Sequence, residues 1–234
     1  MSLSIYPVLC NAGFMDNYAY LLVDDTTGIS AVVDAAEEQA IIDFCEKKNI
    51  VPQFILTTHH HEDHTNANLA LKKRYGLKIA GSAIEKNLID GLDIPLEDGD
   101  IFKLGETQAR IILAAGHTNG HILWYFEKEK ALFTGDVLFN LCIGGLFEGT
   151  PEQMWQSLQK IKALPDDVRF YPGHEYTSLT PAALQNPAFV PYLQFLENCR
   201  RNNLPPVGNM LGLEKQCNPY LKIADKDDFI NKMR

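Results

Sequence analysis

Residues 57–66 are the densest group of possible metal ligands in this chain, holding four of its seven histidines and an aspartate: His59, His60, His61, Asp63 and His64. An apolar run precedes the segment and a polar stretch with helical spacing follows it, which predicts a strand, a loop and a helix. Neighbouring side chains of a strand point to opposite faces, so a loop is needed to aim the first and third histidines the same way. Imidazole and carboxylate groups suit zinc, iron or manganese. The alternative is a solvated loop that binds metal only adventitiously.

Further apolar runs along the chain also stop at a candidate ligand, and this repetition argues against an adventitious tract. The runs and their ligands are residues 111–113 before His117, residues 132–133 before Asp136 and residues 168–171 before His174, with His121 close behind the first. A glycine stands directly before each of these three ligands and allows a sharp turn. Loops at one edge of a rigid sheet are the usual place for a functional site. The pattern therefore predicts one metal site built from four strand ends.

Composition restricts the class of protein. The 234 residues suffice for one large domain and a small appendage, and 46% hydrophobic residues are typical of a globular core. The net charge of −9 argues against a nucleic-acid partner and an anionic membrane surface. No apolar run approaches the roughly 18 residues that span a bilayer, and the N-terminus does not look like a secretory signal. Five scattered cysteines without a C-x-x-C pair favour reduced thiols in a cytoplasmic protein.

Periodicity predicts a series of strands, of which the last is residues 168–171. It also predicts helices over residues 37–48 and 65–75 and a third helix that begins at Thr150. Residues 94–100 are polar and rich in turn formers. After residue 177 no strand pattern is visible, and prolines punctuate helical segments. We therefore expect two domains, residues 1–178 and residues 179–234, with the second packed against the first.

The four motifs T-H-H-H-E-D-H, G-H-T-N-G-H, F-T-G-D and G-H-E-Y together resemble those of the metallo-β-lactamase superfamily. Within it, the chain is similar to the hydroxyacylglutathione hydrolases, also called glyoxalase II. This narrower resemblance rests on residues 146–150 and 173–177 and on the tail motif N-P-Y-L-K at residues 218–222. These segments are spread over nearly the whole chain.

The resemblance implies an α/β fold, an αββα sandwich with a small helical C-terminal domain that recognises the substrate. It also implies two divalent metal ions, zinc as the first choice and iron or manganese as alternatives. The implied ligands are His59, His61 and His117 for one metal, Asp63, His64 and His174 for the other, and Asp136 as a bridge. Asp63 and Asp136 would be the catalytic carboxylates. His60 and His121 match positions that bind no metal, so supporting roles suit them.

The same resemblance implies hydrolysis of S-acylglutathione thioesters, such as S-D-lactoylglutathione, to glutathione and a hydroxy acid. A metal-bridging hydroxide would attack the carbonyl carbon, since a bound metal lowers the pKa of water to about 7. The implied substrate-binding residues are Gly145, Phe147, Tyr176 and Lys222. Gly145 stands where relatives carry a lysine or arginine, and Lys222 stands where they carry an arginine. Lysine keeps the charge but loses the planar fork that binds a carboxylate.

Other activities on the same fold have to be weighed against this one. A mononuclear iron persulfide dioxygenase would not need the second ligand set, and a hydrolase of another thioester or a lactone would keep the centre and change the substrate. A β-lactamase is disfavoured because those enzymes are usually exported and lack this tail, and a binding module would normally have lost a ligand. We expect a cytoplasmic monomer whose partner is a small glutathione thioester, with no nucleic acid or membrane bound.

Overall fold

The computed structural model describes residues 3–11, 13, 16–176 and 187–233. Its strands are β1 Leu3–Cys10, β2 Asn17–Asp24, β3 Ser30–Val33, β4 Phe54–Leu56, β5 Lys78–Ser82, β6 Leu92–Leu96, β7 Ile101–Leu104, β8 Thr107–Leu113, β9 Ile122–Phe126, β10 Ala131–Gly135, β11 Leu138–Phe139, β12 Cys142–Ile143, β13 Arg169–Pro172 and β14 Asn209–Met210. Its helices are α1 Glu38–Lys48, α2 Glu62–Thr65, α3 Asn68–Tyr75, α4 Pro151–Lys162, α5 Val190–Arg201, α6 Leu211–Cys217 and α7 Lys226–Met233, with a 3₁₀ turn at Pro187–Phe189.

The first sheet has six strands in the order β1-β2-β3-β4-β5-β6. The first three strands pair antiparallel, and the remaining neighbours pair parallel. The prediction of a turn-rich segment at residues 94–100 is wrong at its start, because Leu92–Leu96 pairs with β5. This strand lies at the sheet edge, where Pro95 is tolerated because no further strand requires its missing N–H.

The second sheet also has six strands, in the order β14-β13-β10-β9-β8-β7. β7 with β8 and β9 with β10 form antiparallel hairpins, and β13 lies parallel to β10. The prediction that no strand follows residue 177 is wrong, because Asn209–Met210 pairs antiparallel with β13. A strand of two residues is too short to leave an alternating pattern in the sequence. A separate hairpin, β11 with β12, projects beyond β10.

Three apolar clusters define the layers. The central cluster takes residues from both sheets, including Tyr20, Leu22, Trp124 and Phe133. The outer face of the first sheet packs against α1 and α3, and the outer face of the second sheet packs against α4 and the tail. The predicted α/β class and αββα order are therefore confirmed.

A local signal explains where α4 begins. Thr150 and Gln153 form a reciprocal capping box at the start of α4, as the sequence predicts. The single helix predicted over residues 65–75 is instead divided into α2 and α3. Asp63 and His64 consequently lie on a helical turn, not in the loop that we expected.

The tail packs against the larger part of the chain. Leu221 and Phe229 are buried in the same apolar cluster as Met154 and Leu158 of α4. The predicted boundary at residue 178 lies outside the described residues, so the division into residues 1–178 and 179–234 stays a prediction.

Two observations bear on the class of protein. No helix in the described ranges is long and apolar enough to cross a membrane. All five cysteines lie in those ranges, and none of them forms a disulfide. The cytoplasmic location stays a prediction.

Candidate metal centre

Four strand ends meet at one edge of the sandwich, and each one carries predicted ligands. His59 follows β4, and His117, Asp136 and His174 follow β8, β10 and β13. Donor atoms that lie within 4.8 Å of one another form groups of three. The structure brings all seven predicted ligands into three such groups: His59 with His61 and His117, His59 with His64 and Asp136, and Asp63 with His64 and His174.

His59 is oriented by a chain of hydrogen bonds from the first sheet. The Thr58 hydroxyl donates to Asp34 Oδ2 at 2.8 Å, because a carboxylate can only accept. The hydroxyl oxygen can then accept from Nδ1–H of His59 at 3.0 Å. This tautomer leaves the lone pair on His59 Nε2, a buried atom without a hydrogen-bond partner among the described residues.

His117 is oriented in the same manner from the second sheet. Its Nδ1–H donates to the carbonyl oxygen of Gly145 at 2.8 Å, since a carbonyl can only accept. Its Nε2 therefore holds a lone pair, and this atom lies 3.0 Å from His61 Nδ1.

The second group is equally compact. His64 Nδ1 lies 3.0 Å from Asp34 Oδ2, which leaves His64 Nε2 facing the centre, 3.2 Å from His174 Nε2. His174 Nε2 is also 3.2 Å from Asp63 Oδ2. The Asn17 amide holds Asp63 by donating to its backbone oxygen at 2.9 Å and to Oδ2 at 3.1 Å.

Asp136 lies between the two groups. Its Oδ1 is 3.2 Å from His64 Nε2, and its Oδ2 is 3.4 Å from His174 Nε2 and 3.5 Å from His117 Nε2. A carboxylate in this place can reach a cation in either group. Its predicted role as the bridge agrees with this position and stays a prediction.

The contacts between imidazole nitrogens test whether the residues fit a metal ion. Nitrogen pairs at 3.0 Å, His117 with His61, and at 3.2 Å, His64 with His174, would repel each other if both atoms held lone pairs. A cation between them removes the repulsion and satisfies the orphaned His59 Nε2 as well. Imidazole and carboxylate donors are the ligands that zinc, iron and manganese accept. The donor set therefore fits divalent metal ions.

The pKa values of His61 and His174 shift in opposite directions at this centre. Burial, followed by the neighbouring His117 and His60, lowers the pKa of His61 to about 4. Burial opposes protonation of His174, but the carboxylates of Asp136 and Asp63 outweigh it and raise the pKa to about 9. A divalent cation would take the place of the proton that His174 holds between these carboxylates, because metal binding releases protons from its ligands.

His121 and His60, for which we predict supporting roles, lie behind the donors. His121 Nε2 accepts from the backbone N–H of Asp136 at 3.1 Å, and its ring stacks on His59. His60 lies between two carboxylates, 3.2 Å from Glu85 and 3.0 Å from Glu148. His60 also groups with His61 and Glu148 as possible donors.

Glycines allow the strand ends to approach this closely. A Cβ at Gly173 would lie 2.5 Å from both Asp136 Oδ1 and His64 Cε1. Gly135 has a φ of 45°, and a Cβ there would lie 2.5 Å from Thr58 Oγ1. Any larger residue at either position would displace the groups that hold the donors.

Aromatic rings border the centre on two sides. The ring of Phe147 lies 5.1 Å from His117 and 5.3 Å from His61, and it is 74% exposed. Tyr176 stacks on His174 with centroids 4.9 Å apart, and Phe139 meets it edge-on. Both aromatic residues that we predict to contact the substrate thus lie next to the predicted ligands and are exposed.

The other two predicted substrate residues are placed differently. Gly145 is exposed at the end of β12 and contributes its carbonyl to His117. Lys222 is exposed in the tail, where its backbone N–H donates to Asn218. Among the described contacts, no hydrogen bond or ion pair joins the Lys222 side chain to a ligand. The predicted role of Lys222 stays a prediction.

Three supporting residues were missed from the sequence. Asp34 could have been found, because it follows the apolar strand β3 as Asp136 follows β10. Asn17 and Glu85 left no such signal, since one begins β2 and the other lies in a turn.

Comparison with known proteins decides the family. The family model described as the metallo-beta-lactamase superfamily matches residues 12–174, more than half of the chain. The chain belongs to the metallo-beta-lactamase superfamily. Together with the histidine and aspartate groups above, this membership supports the binding of divalent metal at this edge of the sandwich.

Similar proteins narrow the position within the superfamily. The hydroxyacylglutathione hydrolase of Chelativorans sp. (strain BNC1) is 42% identical over 96% of this chain and 89% of its own. The protein of that name from Pelagibacter ubique (strain HTCC1062) is 40% identical over 94% of this chain and 93% of its own. ETHE1 from Myxococcus xanthus superposes with a TM-score of 0.77 at 23% identity, covering 98% of this chain and 89% of its own, which shows the fold alone. The resemblance predicted from the motifs is thereby confirmed.

Proposed function

We propose that this protein hydrolyses S-acylglutathione thioesters at a centre of two divalent metal ions. One observation carries the proposal: a complete set of seven donors on four strand ends, in a chain 42% identical to a hydroxyacylglutathione hydrolase. S-D-lactoylglutathione is the substrate that we infer first, with glutathione and a hydroxy acid as products.

The donor groups suggest how the two metals would be held. His59, His61 and His117 would hold one ion, Asp63, His64 and His174 the other, with Asp136 shared. Zinc is our first choice, and iron or manganese would accept the same donors. When bound, the metal ions supply Lewis-acid activation of water and of the thioester carbonyl.

The protein's own part is to keep these donors in place and in the correct proton state. Asp34 sets the tautomers of His59, through Thr58, and of His64. The Gly145 carbonyl does the same for His117. Such outer contacts typically change metal affinity or activity by about 10–100-fold when removed. Because a thiolate is a weak base, the leaving group needs little help from a general acid, and no other residue is assigned to that task.

Substrate recognition would use the open faces of the aromatic rings. Phe147 and Tyr176 border the donors on two sides and are 74% and 46% exposed. The substrate carries carboxylates and the chain has a net charge of −9, so the overall field opposes binding. The metal ions and a local cation such as Lys222 would have to offset this repulsion.

The proposal also includes a monomeric state and a cytoplasmic location. They rest on the net charge of −9 and on the five cysteines outside any disulfide. Sedimentation of the purified protein would test the first, and a dimer would contradict it.

A combined metal analysis and thioester assay tests the proposal. Protein purified without chelator should contain two metal ions per chain and release thiol from S-D-lactoylglutathione. Chelation should abolish the activity, and added Zn²⁺ should restore it. A thioester of a simple thiol serves as the control for carrier specificity, and equal rates on both would remove glutathione from the proposal. A protein that is fully active with one iron per chain and that consumes oxygen would favour a persulfide dioxygenase instead.

A further inference from the structure

A buried carboxylate in the tail touches the hairpin that lies between two of the predicted ligands. Glu214 lies on α6 and is fully buried. Its Oε2 accepts from the backbone N–H of Leu141 at 3.0 Å and from the side-chain amide of Asn218 at 3.0 Å. Its Oε1 accepts from Asn209 at 3.4 Å. Neither the motifs nor the proposed activity gives this residue a task.

Leu141, whose N–H donates to Glu214, has an unfavourable backbone conformation that these contacts help to hold. It lies in the two-residue turn of the β11–β12 hairpin with a φ of 58°, a region that branched and bulky residues rarely adopt. Tail residues hold both sides of this turn. Asn218 donates to the carbonyl of Cys142 at 3.0 Å, and Asn140 donates to the carbonyl of Pro206 at 2.6 Å.

The hairpin in turn touches the metal centre at three points. It begins two residues after Asp136 and ends two residues before Gly145, whose carbonyl orients His117. A Cβ at Gly144 would overlap the carbonyl oxygen of Asp136, so the two ends of the hairpin are packed without spare room. Phe139, at the turn, meets the rings of His174 and Tyr176.

We propose that Glu214 is a positioning residue, through which the tail fixes the β11–β12 hairpin and thereby Asp136 and His117 for metal binding. This inference rests on the proposed metal centre and extends it to a residue outside every ligand motif. The tail then contributes to the metal site itself and not only to the substrate side.

The test measures Zn²⁺ affinity by competition with a coloured chelator, in the absence of substrate. Glu214→Leu removes the acceptor for Leu141 and should bind Zn²⁺ roughly tenfold more weakly. Glu214→Gln keeps a carbonyl oxygen for the same N–H and should stay near the wild type. Gln216→Ala, at an exposed position of the same helix, is the matched control and should change nothing.

A double variant separates a positioning role of Glu214 from a role in general packing. Leu141→Gly removes the cost of the positive φ, so it should restore part of the Zn²⁺ affinity lost in Glu214→Leu. If Glu214→Leu does not fold, Asn218→Ala takes its place in the same Zn²⁺ measurement. This milder change removes the hydrogen bonds of Asn218 to Glu214 and to Cys142 and keeps the acceptor for Leu141.

Folded Glu214→Leu with wild-type Zn²⁺ affinity would overturn the inference, and so would an equal loss in Glu214→Gln. A wild-type protein that binds Zn²⁺ but cleaves no glutathione thioester would contradict the proposed substrate and leave the role of Glu214 standing.

Discussion

The candidate metal centre and the aromatic surface beside it, which we predict to face the substrate, differ in how their residues are held. His59, His64, His117 and His174 are buried, and hydrogen bonds fix the outer nitrogen of the first three. Phe147 is 74% exposed with one face open. Buried polar groups need specific partners, whereas an exposed side chain can change at little cost to the fold. We infer that the fold fixes the chemistry, while recognition of the substrate can be adjusted.

The largest expected effect is at Asp136, which lies between the two donor groups and is the predicted bridge. Asp136→Ala removes the carboxylate that lies 3.2 to 3.5 Å from His64, His174 and His117. We expect turnover to fall to background and the metal content to drop, measured by a thioester assay and elemental analysis.

His60→Ala is the matched comparison for that change. His60 contacts Glu85 and Glu148 beside the centre and is not a predicted ligand. It should retain both metals and most of the activity. Equal losses from the two substitutions would show that His60 is wrongly excluded from the predicted ligands.

The next effect tests the support behind the donors. Asp34 accepts from the Thr58 amide and hydroxyl and from His64, and it has a φ of 53°. Asp34→Asn keeps a residue that tolerates this backbone but cannot accept all three bonds. We expect Zn²⁺ affinity to fall about 10–100-fold in a chelator competition. Asp43→Asn, at an exposed position of α1, should leave it unchanged, and an unchanged affinity in Asp34→Asn would count against the assigned support.

A smaller effect concerns the pH dependence of stability. Burial, with a contribution from Glu175, raises the pKa of Glu214 from 4.5 to about 7, and the Cys142 and Cys217 thiols are its other titratable neighbours. Between these two pH values the folded protein keeps a proton that the unfolded chain has lost, so stability falls as pH rises through the window.

Glu214→Gln cannot undergo this titration. Its free energy of unfolding relative to wild type should therefore rise by ~1–3 kcal/mol across the window and stay level above it. Urea unfolding of the metal-free proteins at several pH values measures the difference. A difference that does not depend on pH would contradict the raised pKa.

The smallest effect is expected on the exposed surface. Gly145 is outside the positive-φ region, and a Cβ there would meet only the Phe147 ring at 3.5 Å. Gly145→Arg would supply the cation that the family resemblance leads us to expect at this position, and an exposed charge pair contributes about 0.2–1 kcal/mol. KM for glutathione thioesters should fall a few-fold with kcat unchanged, and the gain should shrink with added salt. A fall in kcat would show instead that the surface and the centre are not independent.

The side chains that the sequence singled out as possible donors lie close together in the structure, and each of them lies next to a local signal. An apolar run marks each of the four strand ends that carry these residues, and the family resemblance divides the residues that follow into seven predicted ligands and two supporting histidines. The fold class followed from the same motifs. Two of the missed strands, Leu92–Leu96 and Asn209–Met210, are an edge strand with a proline and a two-residue pairing, both of which carry little pattern.

Residue types and spacing by themselves thus determined which side chains could bind metal. Only the tertiary structure decided what holds them: Asp34 is 30 positions from His64, Gly145 is 28 from His117, and Glu214 is 73 from Leu141. The physical reason is that a hydrogen bond between distant residues exists only once the strands have taken their order in the sheets. That order depends on packing over the whole core, which a local pattern does not record.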